Sequence, residues 1–293
     1  MRQLVYGIIT GGIILVTVLV LCGGNTVDKN KKAAEAASAD IKEETEEISV
    51  EELLAGDSRQ EQLRALYADY PETEMIIRNR SEYSDELIDY LAGHPEAIDW
   101  VIQYPEAMAQ GTEAIDTKAL EPVDVSEYDS VNGIPRYYQW SEVWGYASYG
   151  SGQIATDGCG PTSLSMVATG LTGDTSLTPK RIADFSQQEG YYLEDTGTDW
   201  SLMSQGAGQL GLKWQEVDWS TSAIVAQLQA GHPIICSMGP GDFTDQGHFI
   251  VLSGITADGM IQVNDPNSRI NSEKEWSADV LLPQIKGMWA YWV

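Results

Sequence analysis

The sequence predicts an α+β chain, and three observations carry that expectation. Apolar residues recur at helical spacing between Leu53 and Ile77: Leu53, Leu54, then Leu63, Leu66, Tyr67, then Met75, Ile76, Ile77. Short apolar runs bounded by turn residues, Ile234–Met238, Gly247–Ile255 and Met260–Asn267, read as strands. Between these zones a glycine-flanked cysteine leads through Pro161 into a third helical run, Leu164, Met166, Val167, Ala168, Leu171. A chain of 293 residues that is 43% apolar can bury one large core or two small ones.

Charge divides the chain into zones. Residues 1–32 carry a net +3, residues 33–130 a net −20 and residues 131–293 a net −10. The total of −27 excludes a sequence-independent nucleic-acid binder, which needs a basic face to displace counterions, and argues against docking on anionic head groups. Eight of the nine Trp and all three Phe lie beyond residue 130, so the aromatic core is expected there. Three Cys and three His, with no CxxC and no HExxH, leave no zinc signature and no disulfide framework.

The segment 1–24 holds an uncharged run, Leu4 to Leu21, followed by Cys22. A buried core helix is the plain alternative, although nothing nearby is patterned to cover it. The segment reads as a signal anchor with its N-terminus inside, or as a lipoprotein signal with Cys22 lipidated; Leu21 departs from the small residue expected there, and Lys29, Lys31 and Lys32 weaken the charge rule for an anchor. Either places the rest outside the cytoplasm on a membrane tether. Residues 25–49 are expected to be an acidic, solvated spacer. Residues 50–111 are expected to be a helical region with helices near 60–69, 72–79, 84–92 and 95–103. A weak repeat punctuates it: Tyr70-Pro71-Glu72, His94-Pro95-Glu96 and Tyr104-Pro105-Glu106, each Pro-Glu pair suited to opening a helix. The region reads as a stalk or packing module, with partner binding the alternative and His94 as a turn histidine. Residues 112–130, acidic and aperiodic, are expected to be a linker.

The chemistry concentrates in 131–293. The run Gln153-Ile154-Ala155-Thr156-Asp157-Gly158-Cys159-Gly160-Pro161-Thr162-Ser163-Leu164 puts Cys159 at a helix N-terminus, where free amides and the helix dipole favour a thiolate. Glycines on both sides would let a substrate backbone approach. Gly247-His248 opens the second strand, with His248, Ile250 and Leu252 on one face. Met260 to Asn264 should pair back through Ala257-Asp258-Gly259, leaving Asp265 at the strand end to orient the imidazole. Nucleophile, base and orienting acid are what thiol catalysis requires. Each residue has a plainer alternative: a buried turn cysteine, a satisfied strand histidine, an Asx turn before Pro266.

These motifs resemble the papain-like cysteine peptidases, and more closely the C39-like branch related to the double-glycine leader peptidases that process bacteriocins. The resemblance covers 131–293. It implies a helix carrying the cysteine packed on an antiparallel sheet carrying the histidine and acid. It casts Cys159 as nucleophile, His248 as general base, Asp265 as orienting acid and Gln153, six residues before the cysteine, as oxyanion-hole donor. It requires no cofactor or metal and implies a peptide or protein substrate. No GxxxxGK[ST] follows, so coupling to an ATP-driven exporter is not implied. His232, in Gly231-His232-Pro233, is an alternative base; Asn264 or Asn267 could replace Asp265 if the register differs by one. Cys236 reads as strand packing and Asp157 as a turn residue. A helix over Thr221–Ala230, one from Trp200 through Leu210, another around Trp276–Ile285 and a final strand Met288–Val293 complete the expected domain.

The expected activity is therefore a membrane-tethered, extracytoplasmic thiol-dependent peptidase or amidase working through an acyl-enzyme. A non-catalytic peptide-binding or cell-surface module on the same scaffold, and an acyl transferase using the same residues, are the rivals.

Overall fold

The computed structural model describes residues 48–194 and 196–293. The apolar segment 1–24 and nearly all of the spacer lie outside the described residues. Among those described, no helix is long and apolar enough to cross a membrane.

The acidic region is helical. Helix α1 (Val50–Leu54) opens on a capping box in which Ser49 and Glu52 satisfy each other's free amides. It is followed by α2 (Gln60–Asp69), α3 (Thr73–Arg78), α4 (Asp85–Gly93), α5 (Ile98–Met108) and α6 (Thr112–Ala119). Ser84 caps α4, accepting from the Leu87 amide. Arg59 forks onto Asp89 at 2.6 and 2.7 Å, and Arg80 reaches Asp57 at 2.9 Å, so part of the acidic charge is paired inside the region.

Two expectations are corrected here. Pro105 does not open a helix: it lies inside α5, where the buried Trp100, Val101 and Ala107 hold the helix across the missing amide bond. Residues 112–130 are not simply a linker, since α6 occupies the first eight. Its apolar signal is only Ile115 and Ala119, one i,i+4 pair, but Asp116 also accepts from the Ser148 amide at 2.8 Å and hydroxyl at 2.6 Å.

The C-terminal half is built on six antiparallel strands: β1 (Lys213–Glu216), β2 (Ile234–Met238), β3 (His248–Ile255), β4 (Ile261–Asn264), β5 (Glu275–Trp276) and β6 (Ile285–Trp292), in the order β5-β4-β3-β2-β6-β1. Every residue of β2 and all but the last of β3 are buried. The sheet is covered on both faces, which is why these strands read as unbroken apolar runs rather than alternations. On one face Ile235, Phe249, Val251 and Trp289 pack with α8 (Cys159–Thr172), which follows the short α7 (Ile154–Asp157), and with α9 (Pro179–Gln188). On the other Ile234, Cys236, Ile250 and Leu252 pack with α10 (Thr221–Gln229). The first core runs on without a break into Leu63, Ile76, Ile88 and Trp100 of the helical region, so that region is packed into the C-terminal half and is not a free stalk.

The stretch expected as a helix through Leu210 is a wide π turn, Leu202–Gly206, closed by a short helix, Ala207–Gln209. Tyr291 donates to the Met203 carbonyl at 2.6 Å, taking an acceptor that a regular helix would use. The final strand starts at Ile285 rather than Met288, because Ile285 pairs with Met238 across a register shift.

Candidate active site

Helix α8 begins at Cys159 itself. Its capping residue Gly158 offers no side chain, and Pro161 falls in the first turn, where an amide has no intrahelical acceptor to lose. The flanking glycines do not open space for substrate, contrary to the expectation. A Cβ on Gly158 would stand 2.5 Å from the Ile154 carbonyl, and one on Gly160 would stand 2.6 Å from Thr198 Oγ1. Their job is to let the chain pack against itself behind the sulfur.

His248 starts β3 beside Cys159, and Asp265 follows the end of β4. Ile250 and Leu252 sit in the core opposite α8, while His248, at the strand's first residue, meets the carboxylate instead: its Nε2 lies 2.7 Å from Asp265 Oδ1. That fixes the ring and leaves Nδ1 for the sulfur. Asp265 is 2% exposed. Its Oδ1 also accepts from the Asn267 amide at 2.9 Å, its Oδ2 from Asn271 Nδ2 at 3.0 Å, and its own amide donates to Ser272 Oγ at 2.8 Å. Burial pushes the His248 imidazole toward neutrality. The charge and hydrogen bond of Asp265, with those of Cys159, outweigh it and raise the ring to about 10. With the carboxylate beside it, the His248 imidazole keeps its proton at neutral pH.

Cys159 and His248 stand at the junction of two cavities. One, of about 600 Å³, is lined by His94, Glu96, Gln139, Asp242 and Asn267. The other, of about 680 Å³, is lined by Asp157, Tyr192, Thr198, Asp199 and Trp200. A groove passing on both sides of a partly exposed sulfur suits an extended chain laid across it.

The remaining expected residues divide. Gln153 is not at the site. Its Nε2 donates to the Tyr146 carbonyl at 3.2 Å and approaches Met108 Sδ at 3.3 Å, facing a separate cavity against the helical region. The ribbon Ser148–Tyr149/Gly152–Gln153 turns it away from the sulfur. Gln139, which sequence reasoning missed, lines the cleft with Cys159, His248 and Asp265. It is 1% exposed, donates from Nε2 to the Ala155 carbonyl at 2.6 Å and from its amide to the Pro266 carbonyl at 2.7 Å. It thus ties the cysteine turn to the aspartate loop. The one sequence signal was a lone amide inside an aromatic run, Tyr138-Gln139-Trp140.

His232 bonds Gln227 at 2.8 Å and stacks on Trp292, lining neither cavity, so it is not an alternative base. Asn264 donates to the Pro135 carbonyl at 3.1 Å and fastens the ribbon at 130–135; it does not replace Asp265. Cys236 is wholly buried, and burial pushes its thiol up. Asp157, read as a turn residue, lines the groove, and desolvation by the surrounding protein raises its carboxyl. Among the described residues, no cluster of three or more His, Cys, Asp or Glu could hold a metal ion.

A cysteine at a helix mouth facing a histidine and buried aspartate carried by an antiparallel sheet defines a cysteine peptidase-type domain. Residues 131–292, more than half of the chain, match the model of the Peptidase_C39 like family, and the chain belongs to that family. No curated protein matches the sequence.

Proposed function

We propose that the protein is a membrane-tethered, extracytoplasmic cysteine peptidase or amidase. The observation that carries this is His248 seated between a buried aspartate and Cys159, in a groove open on both sides of the sulfur. The sulfur, having given its proton to His248 Nδ1, attacks the carbonyl carbon of a peptide-like bond. The oxyanion is met by the Cys159 amide at the first helical position and by the second N–H of Gln139 Nε2, the first being spent on Ala155. As the C–N bond breaks, His248 protonates the leaving amine and a thioester remains on Cys159. Water, losing a proton to His248, then releases the acid and restores the pair. The apolar run Leu4–Leu21 supports the tether and the compartment.

Iodoacetamide labelling of the native chain near neutral pH tests the reading. Cys159 should react faster than a model thiol, and His248→Ala should abolish the advantage. A sulfur no faster than the model thiol, with His248→Ala without effect, overturns it and leaves the non-catalytic module. Product analysis with an added amine separates hydrolysis from acyl transfer.

A further inference from the structure

The C39-like match begins at residue 131, yet one wall of the groove comes from before it. The turn after α4 carries His94, Pro95 and Glu96 into the same cavity as Cys159, His248 and Asp265. Three contacts fasten it there. Glu96 accepts from the Ser268 hydroxyl at 2.8 Å and from the Arg269 and Ile270 amides at 2.7 and 3.2 Å, gripping the loop just past Asp265. His94 Nδ1 lies 3.1 Å from Asn267 Nδ2. Tyr90, whose ring is 4.8 Å from that of His94, donates to the Ala155 carbonyl at 2.8 Å, the carbonyl that also holds Gln139.

We infer that the helical region is a working part of the active site and that His94 is a positioning residue, holding through Asn267 the aspartate that holds His248. The path is short: the backbone amide of Asn267 and Nε2 of His248 share Asp265 Oδ1, at 2.9 and 2.7 Å. Fixing the Asn267 side chain fixes that amide, and with it the carboxylate oxygen that sets the imidazole. Asn267 Oδ1 is buried with no partner among the described residues, so His94 carries the side-chain hydrogen bond that orients this amide. Burial and the nearby His248 charge lower the His94 ring, which favours the neutral form that can pair with the amide. Asp265 and Glu96 are the acids facing it. The inference rests on the peptidase reading above.

The test uses the full chain, with iodoacetamide as probe and the alkylation rate of Cys159 followed against pH. His94→Phe keeps a ring against Tyr90 but has no nitrogen for Asn267; His94→Gln supplies an amide and no ring. The Phe variant should alkylate about tenfold more slowly at pH 6, with its midpoint moved to higher pH, because a loosened Asp265 holds the His248 proton less firmly. The Gln variant should recover most of the rate. Asn267→Ala, which cuts the same bond from the other side, should match the Phe variant. A Phe variant that alkylates at the wild-type rate and midpoint overturns the inference. So does a Phe variant slowed only in proportion to a lowered melting temperature and not recovered by Gln, since that is a packing role. Wild-type Cys159 no faster than a free thiol would instead remove the peptidase reading, and the inference with it.

Discussion

Replacing Asp265 with Asn should reverse the pH dependence of stability. The change keeps the shape of the side chain and removes its charge beside an imidazole that is 7% exposed. In the native chain His248 is raised from 6.5 to about 10, and at 1.36 kcal/mol per pH unit this amounts to roughly 5 kcal/mol. A group raised on folding contributes that stability in full below its unfolded value near 6.5, and loses it as pH climbs toward 10. Without the aspartate, burial is the largest influence left on the ring and pulls it down against Cys159, so the variant should lose stability as pH falls. Urea melts between pH 5.5 and 9.5 should give curves sloping in opposite senses, about 3–5 kcal/mol apart at the acid end, the cost of breaking a buried pair, and converging at the alkaline end. The same melts in a Cys159→Ala background subtract the share owed to the sulfur. A constant offset at every pH would show that Asp265 matters for packing alone, and the charge argument would fall.

Other outcomes follow from the geometry. Gln139→Ala should cut kcat by about 10²–10³, the usual cost of losing an oxyanion donor, while Gln153→Ala leaves kcat near wild type; steady-state kinetics on one cleaved peptide distinguishes them. Gly160→Ala should cost about 1–3 kcal/mol in a denaturant melt, because the new Cβ meets Thr198 Oγ1 and Cγ2 at 2.6 and 2.7 Å, and Thr198 is bonded to Tyr149. Lys180→Met should cost about 3 kcal/mol in the same melt. Lys180 is 2% exposed and its ammonium bridges Asp184 at 2.8 Å and Asp116 at 3.3 Å, but both acidic side chains keep about a quarter of their surface in water, which holds the cost to the low end for a broken buried pair.

By itself the sequence determined the elements whose signals are local. A glycine–cysteine–glycine–proline run specifies a helix mouth because capping and the missing proline amide act within one turn. Unbroken apolar strands follow from a sheet covered on both faces, and the Ala257–Gly259 turn brings Asp265 back toward His248 through a hairpin. Cys159, His248 and Asp265 were therefore legible. What depends on the path of the chain between elements was not. Spacing of six residues suggested Gln153, but the ribbon at 148–153 sends that amide toward Met108 and Tyr146, while Gln139, twenty residues before the cysteine, comes back to the cleft. The helical region read as a stalk because its helices are amphipathic and its surface acidic. Periodicity reports that a face is buried and cannot report against what. Only the tertiary structure decided that this face joins the core behind Cys159 and carries His94 and Glu96 to the rim of the site.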